Sequence, residues 1–345
     1  MSPYTTSILL SSLSAGTIIV TSSNHWFMAW IGLEMNTLAM IPIMSKNHHP
    51  RATEAATKYF LTQAMASAVL LFATMTNAWY TGEWTINMQT TMPTIMMTSA
   101  LMIKLAVFPF HFWLLDVIQG LDTTTSMILL TWQKLAPMAL LIQVNSELNS
   151  TMLILLGTMS IIIGGWGGLN QPQLRKIMAY SSIAHLGWMM AVITLSTNIT
   201  LMTLLLYMMM TPSIFLTMNN TSSANINKMA TSWMKNHTLS IMLMTTLMSL
   251  GGLPPMSGFM PKWFILEEMV NQNMMITATT MAMSALLSLF FYMRLSYLTS
   301  LTTSPSPMNS KFTWRLKSNP NSTLPTVIIL SSLLLPISPT IMNMF

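Results

Sequence analysis

Along the whole chain, apolar runs of about twenty residues, the length a helix needs to cross a bilayer core, alternate with short polar segments. Eleven such runs can be drawn, over residues 3–23, 25–45, 55–80, 94–119, 124–145, 150–170, 174–195, 198–218, 238–268, 273–299 and 324–343. They predict helices, because a lipid-facing backbone has to satisfy its own hydrogen bonds and the alternating pattern of barrel strands is missing. The longest connections, 219–237 and 300–323, are rich in Asn, Ser, Thr and Lys and read as solvated loops. The expected fold class is an all-α polytopic membrane protein, with a single integral membrane domain over 1–345 and about 11 transmembrane helices.

Composition supports the pattern. Charged residues make up 6% of the chain, against roughly a quarter in a soluble domain. The absence of cysteine excludes disulfides, thiolate metal sites and cysteine-held Fe–S clusters. Met1 to Val20 carries no Lys or Arg and no cleavage-like site, so it reads as a permanent first span and not as a secretory or transit signal. The net charge of +6 would suggest nucleic acid if the bases clustered on a soluble face, but most lie in short loops. Nucleic acid is therefore not an expected partner.

Those loop charges are sorted by side. Lys46, Arg51, Lys58, Arg175, Lys176, Lys228, Lys235, Arg294, Lys311, Arg315 and Lys317 lie in or beside loops that follow even-numbered runs. Loops after odd-numbered runs carry Glu83, Glu147, Glu267 and Glu268 and no base. The loop after the fourth run, with Asp122, departs from the basic side. The positive-inside rule puts the N-terminus on the cytoplasmic or matrix side and the C-terminus opposite.

Four charges fall at mid-membrane depth within the runs: Glu34 in WIGLEMN, Lys104 in ALMIKLAVFPFHFW, Lys134 in LLTWQKLAP and Lys262 after GGLPPMSGFMP. Each costs roughly 3 kcal/mol to insert on translocon scales. At mid-span the interface is ~15 Å away, beyond the reach of a lysine stem. A structural ion pair of Glu34 with one lysine would leave two lysines unexplained. Charges this deep mark a pathway for protons or another small cation, since burial favours proton exchange by such groups.

Two runs are interrupted beside these lysines. Pro109 follows Lys104, and Gly251, Gly252, Pro254, Pro255, Gly258 and Pro261 precede Lys262. Irregular backbone at membrane depth survives only inside protein or beside a water-filled cavity. The fourth and ninth runs are an odd number apart, so repeats aligned on them, about 1–145 and 150–299 with a final span at 324–343, would have inverted topology. His111 and His185 lie within runs and can relay protons or pack as hydrogen-bonded core residues. Asp116, one turn past His111, is either its partner or an interface carboxylate. Gly164 and Gly168 in GGWGG read as a close helix contact, not a nucleotide loop. The 40 methionines, scattered through every run, suggest adaptable packing and not metal ligation.

Several of these segments are long enough to carry a resemblance. WIGLEMN, PRATEAATKYFLTQA, KLAVFPFHFW, LLTWQKLAP, GGWGGLNQPQLRKIMAYSSIAHLGWM and SLGGLPPMSGFMPKW, between about residues 24 and 300, resemble the antiporter-like membrane subunit family of mitochondrial NADH:ubiquinone oxidoreductase, respiratory complex I, in its subunit 2 branch. That family is similar in turn to Mrp-type sodium/proton antiporter subunits. The resemblance implies a multi-pass protein of the mitochondrial inner membrane, encoded in the organelle, where AUA is read as Met. Glu34 and Lys104 match the family's glutamate–lysine pair, Lys134 its central-axis lysine and Lys262 the lysine of the second broken helix. Ala106, Val107, Phe108 and Pro109 depart from the family's Gly-Met/Leu-Ala-Pro stretch, and Leu115, Asp116 and Val117 from its Pro-Glu-Val.

What the resemblance implies is a proton-translocating, non-redox subunit of an NADH:ubiquinone reductase. In it, Glu34 tunes Lys104, and protons pass by way of residues such as His111 and His185 toward Lys134 and Lys262. NADH, FMN, Fe–S clusters and ubiquinone would be bound by partner subunits, with no cofactor or metal in this chain. Other membrane-arm and accessory subunits and the lipid bilayer, cardiolipin included, would be its partners. An autonomous cation/proton antiporter and a passive membrane scaffold or assembly subunit are the competing readings.

Overall fold

The computed structural model describes residues 2–46, 48–88, 90–234, 236–301 and 323–344. Each expected run corresponds to one helix or to two consecutive ones. The helices are α1 (Pro3–Ser22), α2 (Trp26–Met44), α3 (Pro50–Thr81), α4 (Thr91–Leu105), α5 (Phe112–Gly120), α6 (Thr123–Leu130), α7 (Trp132–Gln143), α8 (Ser150–Gly168), α9 (Leu174–Val192), α10 (Thr197–Thr221), α11 (Ile226–Ala230), α12 (His237–Gly251), α13 (Phe259–Asn271), α14 (Met275–Leu301) and α15 (Thr323–Met344). Among the described residues, seven stretches are long and apolar enough to cross a membrane by length and composition. Strand pairing among them is limited to isolated bridges, His25 with Thr85 and Gln173 with Asn225.

The chain is rich in Ser and Thr, yet most of its helices are apolar. The structure reconciles the two within each helix. Hydroxyls donate to carbonyls three or four residues back, as from Thr158 to Leu155 (2.9 Å), Ser181 to Met178 (2.7 Å) and Thr203 to Thr200 (2.8 Å). A hydroxyl bonded this way exposes no free donor to lipid.

Two of the breaks follow from proline chemistry. Proline at position i has no N–H and its ring collides with the carbonyl of residue i−4. Accordingly α4 stops at Leu105, four residues before Pro109, and α12 stops at Gly251, four before Pro255. Left-handed residues turn the chain away, Ala106 at φ 61° and Gly252 at φ 82°. Ala106 stands where the family pattern has glycine, so the break forms without it.

A third break was not expected. The run 124–145 is split at Thr131, between α6 and α7, while Pro137 is accommodated inside α7. There the Lys134 N–H bonds to Thr131 O (3.1 Å), which leaves the carbonyl of Leu130 without its usual helical donor.

The loops segregate by contact as the charges predicted. The His25 loop meets Thr85, and Met88 N–H donates to the Glu147 carboxylate. On the other side Arg175 donates to Leu121 O, Arg294 to Leu169 O, and Ile226 N–H to Pro172 O (3.2 Å). The segment 219–237 is more ordered than expected. It holds α11 with Ile226 and Met229 buried, and Trp233 Nε1 donates to Thr299 O at 2.6 Å. Two apolar side chains and an indole outweighed the polar composition. Lys235 and most of the 300–323 connection, with Lys311, Arg315 and Lys317, lie outside the described residues.

The core forms three clusters of buried apolar residues, with helix crossings at small residues. The expected close contact of the glycine run is present. A Cβ on Gly164 would lie 2.8 Å from Ala184 N, and one on Gly168 2.9 Å from the Phe291 ring. Buried methionines such as Met40, Met97, Met102, Met190 and Met202 fill the core between helices.

Candidate functional site

All three interior lysines are buried, Lys104 at 7%, Lys134 at 5% and Lys262 at 9% exposure. None reaches the surface, so snorkelling is excluded for each. The proline breaks and the Thr131 break carry them inward.

Lys262 is held by a helix end. Its Nζ donates to Gly251 O (2.8 Å) and Leu250 O (3.4 Å), carbonyls at the C-terminus of α12. The chain end that Pro255 forces thus becomes the counter-charge for the ammonium, because helix C-termini carry partial negative charge.

Lys134 is held differently. Its Nζ donates to Tyr207 Oη at 3.2 Å and lies 4.8 Å from the centre of that ring. Tyr207 Oη in turn donates to Leu130 O at 2.9 Å, the carbonyl released by the Thr131 break. Tyr207 sits on α10 and is 3% exposed.

Lys104, in the last turn of α4, has no hydrogen-bond partner at Nζ among the described residues. Glu34 is half-buried on α2, where Oε2 accepts from Thr37 Oγ1 at 3.1 Å and Oε1 is unpartnered. Among the described residues no ion pair joins Glu34 to Lys104, which sets aside a fixed structural pair between them.

Two interior cavities collect these groups. The first is lined by Lys104, Lys134, Gln63, Gln133, Asn36 and Tyr59, among others, and offers ≈ 20 Å³ to the centres of water molecules. That is enough for ordered water by the ~10–15 Å³ criterion. Gln63 Nε2 beside it is another buried donor without a partner. Buried donors with room beside them are ordinarily satisfied by water. The second cavity, also ≈ 20 Å³, is lined by Lys262, His185, Tyr207 and Thr203 among mainly apolar neighbours.

The structure therefore brings His185 beside Lys262 and, through Tyr207, near Lys134; the His185 and Tyr207 ring centres are 5.6 Å apart. His111 lies elsewhere. It is buried in the 106–111 break against Phe112 and Phe108, with centroids at 4.2 and 6.1 Å, and lines neither cavity. Asp116 is not its partner: it is exposed and accepts from Lys58 (3.2 Å), which also pairs with Glu54 (2.9 Å). His111 is the N-cap residue of α5, and Asp116, five residues on, lies about 140° round that helix and so faces another side.

Tyr207, Gln63 and Gln133 were not singled out from the sequence. Each is an uncharged polar residue in an apolar run, a type that often serves packing alone. A signal was nonetheless present in Gln133, adjacent to Lys134.

Comparison with known proteins agrees with this architecture. Residues 23–288 match the family described as NADH:quinone oxidoreductase/Mrp antiporter, TM, and residues 289–342 match the NADH dehydrogenase subunit 2 C-terminus. NADH-ubiquinone oxidoreductase chain 2 of Xenopus laevis is 53% identical over 98% of this chain and 99% of its own length. This chain belongs to the NADH-ubiquinone oxidoreductase chain 2 family. The counterpart from Loxodonta africana is 52% identical over 99% of both chains. Among solved structures, a chain of respiratory complex I from Thermus thermophilus, determined with bound aureothin, aligns with a TM-score of 0.83 at 23% identity, covering 97% of this chain and 80% of that one. A chain of the Mrp complex from Dietzia sp. DQ12-45-1b aligns with a TM-score of 0.76 at 18% identity, over 88% of this chain and 61% of that one. The antiporter-like helical fold is thus common to this chain and both assemblies.

Proposed function

We propose that this chain is a proton-translocating membrane-arm subunit of an NADH:ubiquinone oxidoreductase in the mitochondrial inner membrane. The observation that carries the reading is the pair of interior cavities, one between Lys104 and Lys134 and one at Lys262 and His185, with Tyr207 lining the second and hydrogen-bonded to Lys134 of the first. Electron transfer from NADH through FMN and Fe–S clusters to ubiquinone belongs to partner subunits, and this chain contributes no redox centre.

In the proposed cycle, Glu34 and Lys104 alternate between apart, as in the structure, and paired. At 4 Å and an effective dielectric near 20 such a pair gains about 4 kcal/mol of Coulomb energy, which holds the proton on Lys104 until the pair parts. The proton then passes by water in the first cavity to Lys134, and onward past Tyr207 to His185 and Lys262. His111 and Asp116 stand off this line. The broken pairs α4/α5 and α12/α13 belong to inverted repeats at about 1–145 and 150–299, with α15 added at the end. The N-terminus and the basic loops face the matrix, where Arg175, Lys176, Lys228 and Arg294 would meet anionic headgroups such as cardiolipin's. Other membrane-arm and accessory subunits would cover the remaining apolar faces.

The test is Lys134→Met in the assembled enzyme, which keeps side-chain volume but cannot carry a proton. Assembly is expected to persist while transfer through this route slows on the order of a hundredfold, the usual worth of a positioned proton carrier. Wild-type pumping by Lys134→Met in proteoliposomes would favour a passive scaffold. The autonomous-antiporter reading predicts purification as a small transporter instead of co-migration with a large respiratory assembly.

A further inference from the structure

Tyr207 stands between the two cavities and belongs to the lining of only one. Lys134 lines the first cavity and Tyr207 the second, yet their polar atoms are hydrogen-bonded at 3.2 Å. The ring has Lys134 Nζ 4.8 Å from its centre and the His185 ring 5.6 Å from it. The route from Lys134 to His185 and Lys262 therefore meets the Tyr207 side chain.

Its hydroxyl also meets the Ser182 side chain, and it has one hydrogen to give, for which Leu130 O and Lys134 Nζ compete. In the structure that hydrogen goes to Leu130 O at 2.9 Å, and Oη accepts from the Lys134 ammonium. This arrangement suits a charged Lys134, which has donors only. A neutral Lys134 amine has a lone pair and can accept instead. The hydroxyl would then turn its hydrogen from Leu130 O to Nζ, at the cost of leaving a buried carbonyl unpaired. The choice of acceptor is thus coupled to the charge of Lys134, and the Thr131 break supplies the second acceptor. No proton need leave Tyr207 for this; only its O–H rotates.

We infer that Tyr207 is a positioning residue and partition, whose hydroxyl holds the protonated Lys134 on the first-cavity side and whose ring separates the water of the two cavities. The inference rests on the relay reading above. It assigns two separable duties to one side chain, hydroxyl to hold and ring to separate.

Two substitutions in the assembled, vesicle-reconstituted enzyme separate them. Tyr207→Phe keeps the ring and removes the hydroxyl. It should lower proton pumping per NADH oxidised, with transfer through Lys134 slowed by roughly tenfold, the scale of a hydrogen bond to a charged group. Its passive proton permeability should stay at the wild-type level. Tyr207→Ala removes the ring and should raise passive permeability without turnover. A purely structural Tyr207 would instead lower the amount of assembled enzyme and leave protons per NADH unchanged. Normal pumping by Tyr207→Phe, or no added leak in Tyr207→Ala, overturns the inference. Lys134→Met in the same preparation tells which idea failed. If it loses pumping while Tyr207→Phe does not, the relay stands and the Tyr207 role falls; if it pumps normally, the relay itself falls. Should neither Tyr207 variant assemble, a high-resolution structure of the wild-type enzyme decides. Water on both sides of the ring with none passing it supports the partition, and a continuous file of water past the ring refutes it.

Discussion

Lys262, Lys134 and Lys104 each lie beside a break in a helix, but they are held by three different means. Lys262 caps freed carbonyls directly, Lys134 does so through Tyr207, and Lys104 has no partner at Nζ among the described residues. The unpartnered lysine is the one opposite Glu34, which suits a pair that forms and parts. Glu34→Gln should therefore lower coupled turnover severalfold more than it lowers assembly, since the amide keeps size and hydrogen bonding but not charge. Activity per assembled complex is the measurement, and a normal value with poor assembly would make Glu34 structural. Gly252 gives a second test at this scale. It has φ 82°, and a Cβ there would lie 2.9 Å from Lys262 Nζ. Gly82 has φ 77° but open space around the same position. Alanine at either site incurs about 1–2 kcal/mol of left-handed strain. Only Gly252→Ala should also depress pumping, because only there does the methyl displace the ammonium from its carbonyls. Thermal stability and pumping measured on both variants separate the two effects.

Among the elements, the contact of α8 with α9 sets the position of the second cavity. A Cβ on Gly187 would come 2.7 Å from Gly157 O, and one on Gly157 would come 2.8 Å from Gly187 O. The two backbones touch where any side chain would part them. His185 is two residues from this contact and lines the cavity with Lys262. Gly187→Ala is expected to destabilise by about 1–3 kcal/mol, the usual cost of overpacking, and to reduce pumping by moving His185. A lowered melting temperature with unchanged protons per NADH would mean that the crossing is structural alone. The breaks, by contrast, owe their places to single prolines. Pro109 and Pro255 end helices four residues upstream, whereas Pro137 is absorbed within α7. What splits the α6–α7 run instead is a turn at Thr131, whose released carbonyl is taken up by a tyrosine 77 residues away.

For the whole molecule, loop contacts reproduce the two-sidedness seen in the charges. His25 meets Thr85 and Met88 meets Glu147 on one side, and Arg175 and Arg294 bind Leu121 and Leu169 on the other. Because the chain has no cysteine, cysteines introduced at Glu83 and at Lys46 report its sidedness cleanly. They should label from opposite faces of oriented membranes, Lys46 from the matrix face. Labelling of both from one face would refute the topology. The Lys58 pairs with Glu54 and Asp116 are largely exposed, and such pairs contribute little to stability.

The order of the apolar segments, the gathering of their loops into two sets and the burial of Lys104, Lys134 and Lys262 were legible in the sequence. Insertion into a bilayer is decided locally, by the length of each apolar run and the charges flanking it. Two breaks were legible for the same reason, since proline acts on the turn that precedes it. The partners of those charges were not. Glu34 stands apart from Lys104, His111 faces aromatic rings, Asp116 turns to Lys58, and Tyr207 joins Lys134 to Leu130. Hydrogen bonds between residues tens of positions apart depend on how helices rotate and cross. That rotation is set by close packing at contacts such as Gly157 with Gly187; the small residues show in the chain, as Gly164 and Gly168 do, but the partner each one meets does not.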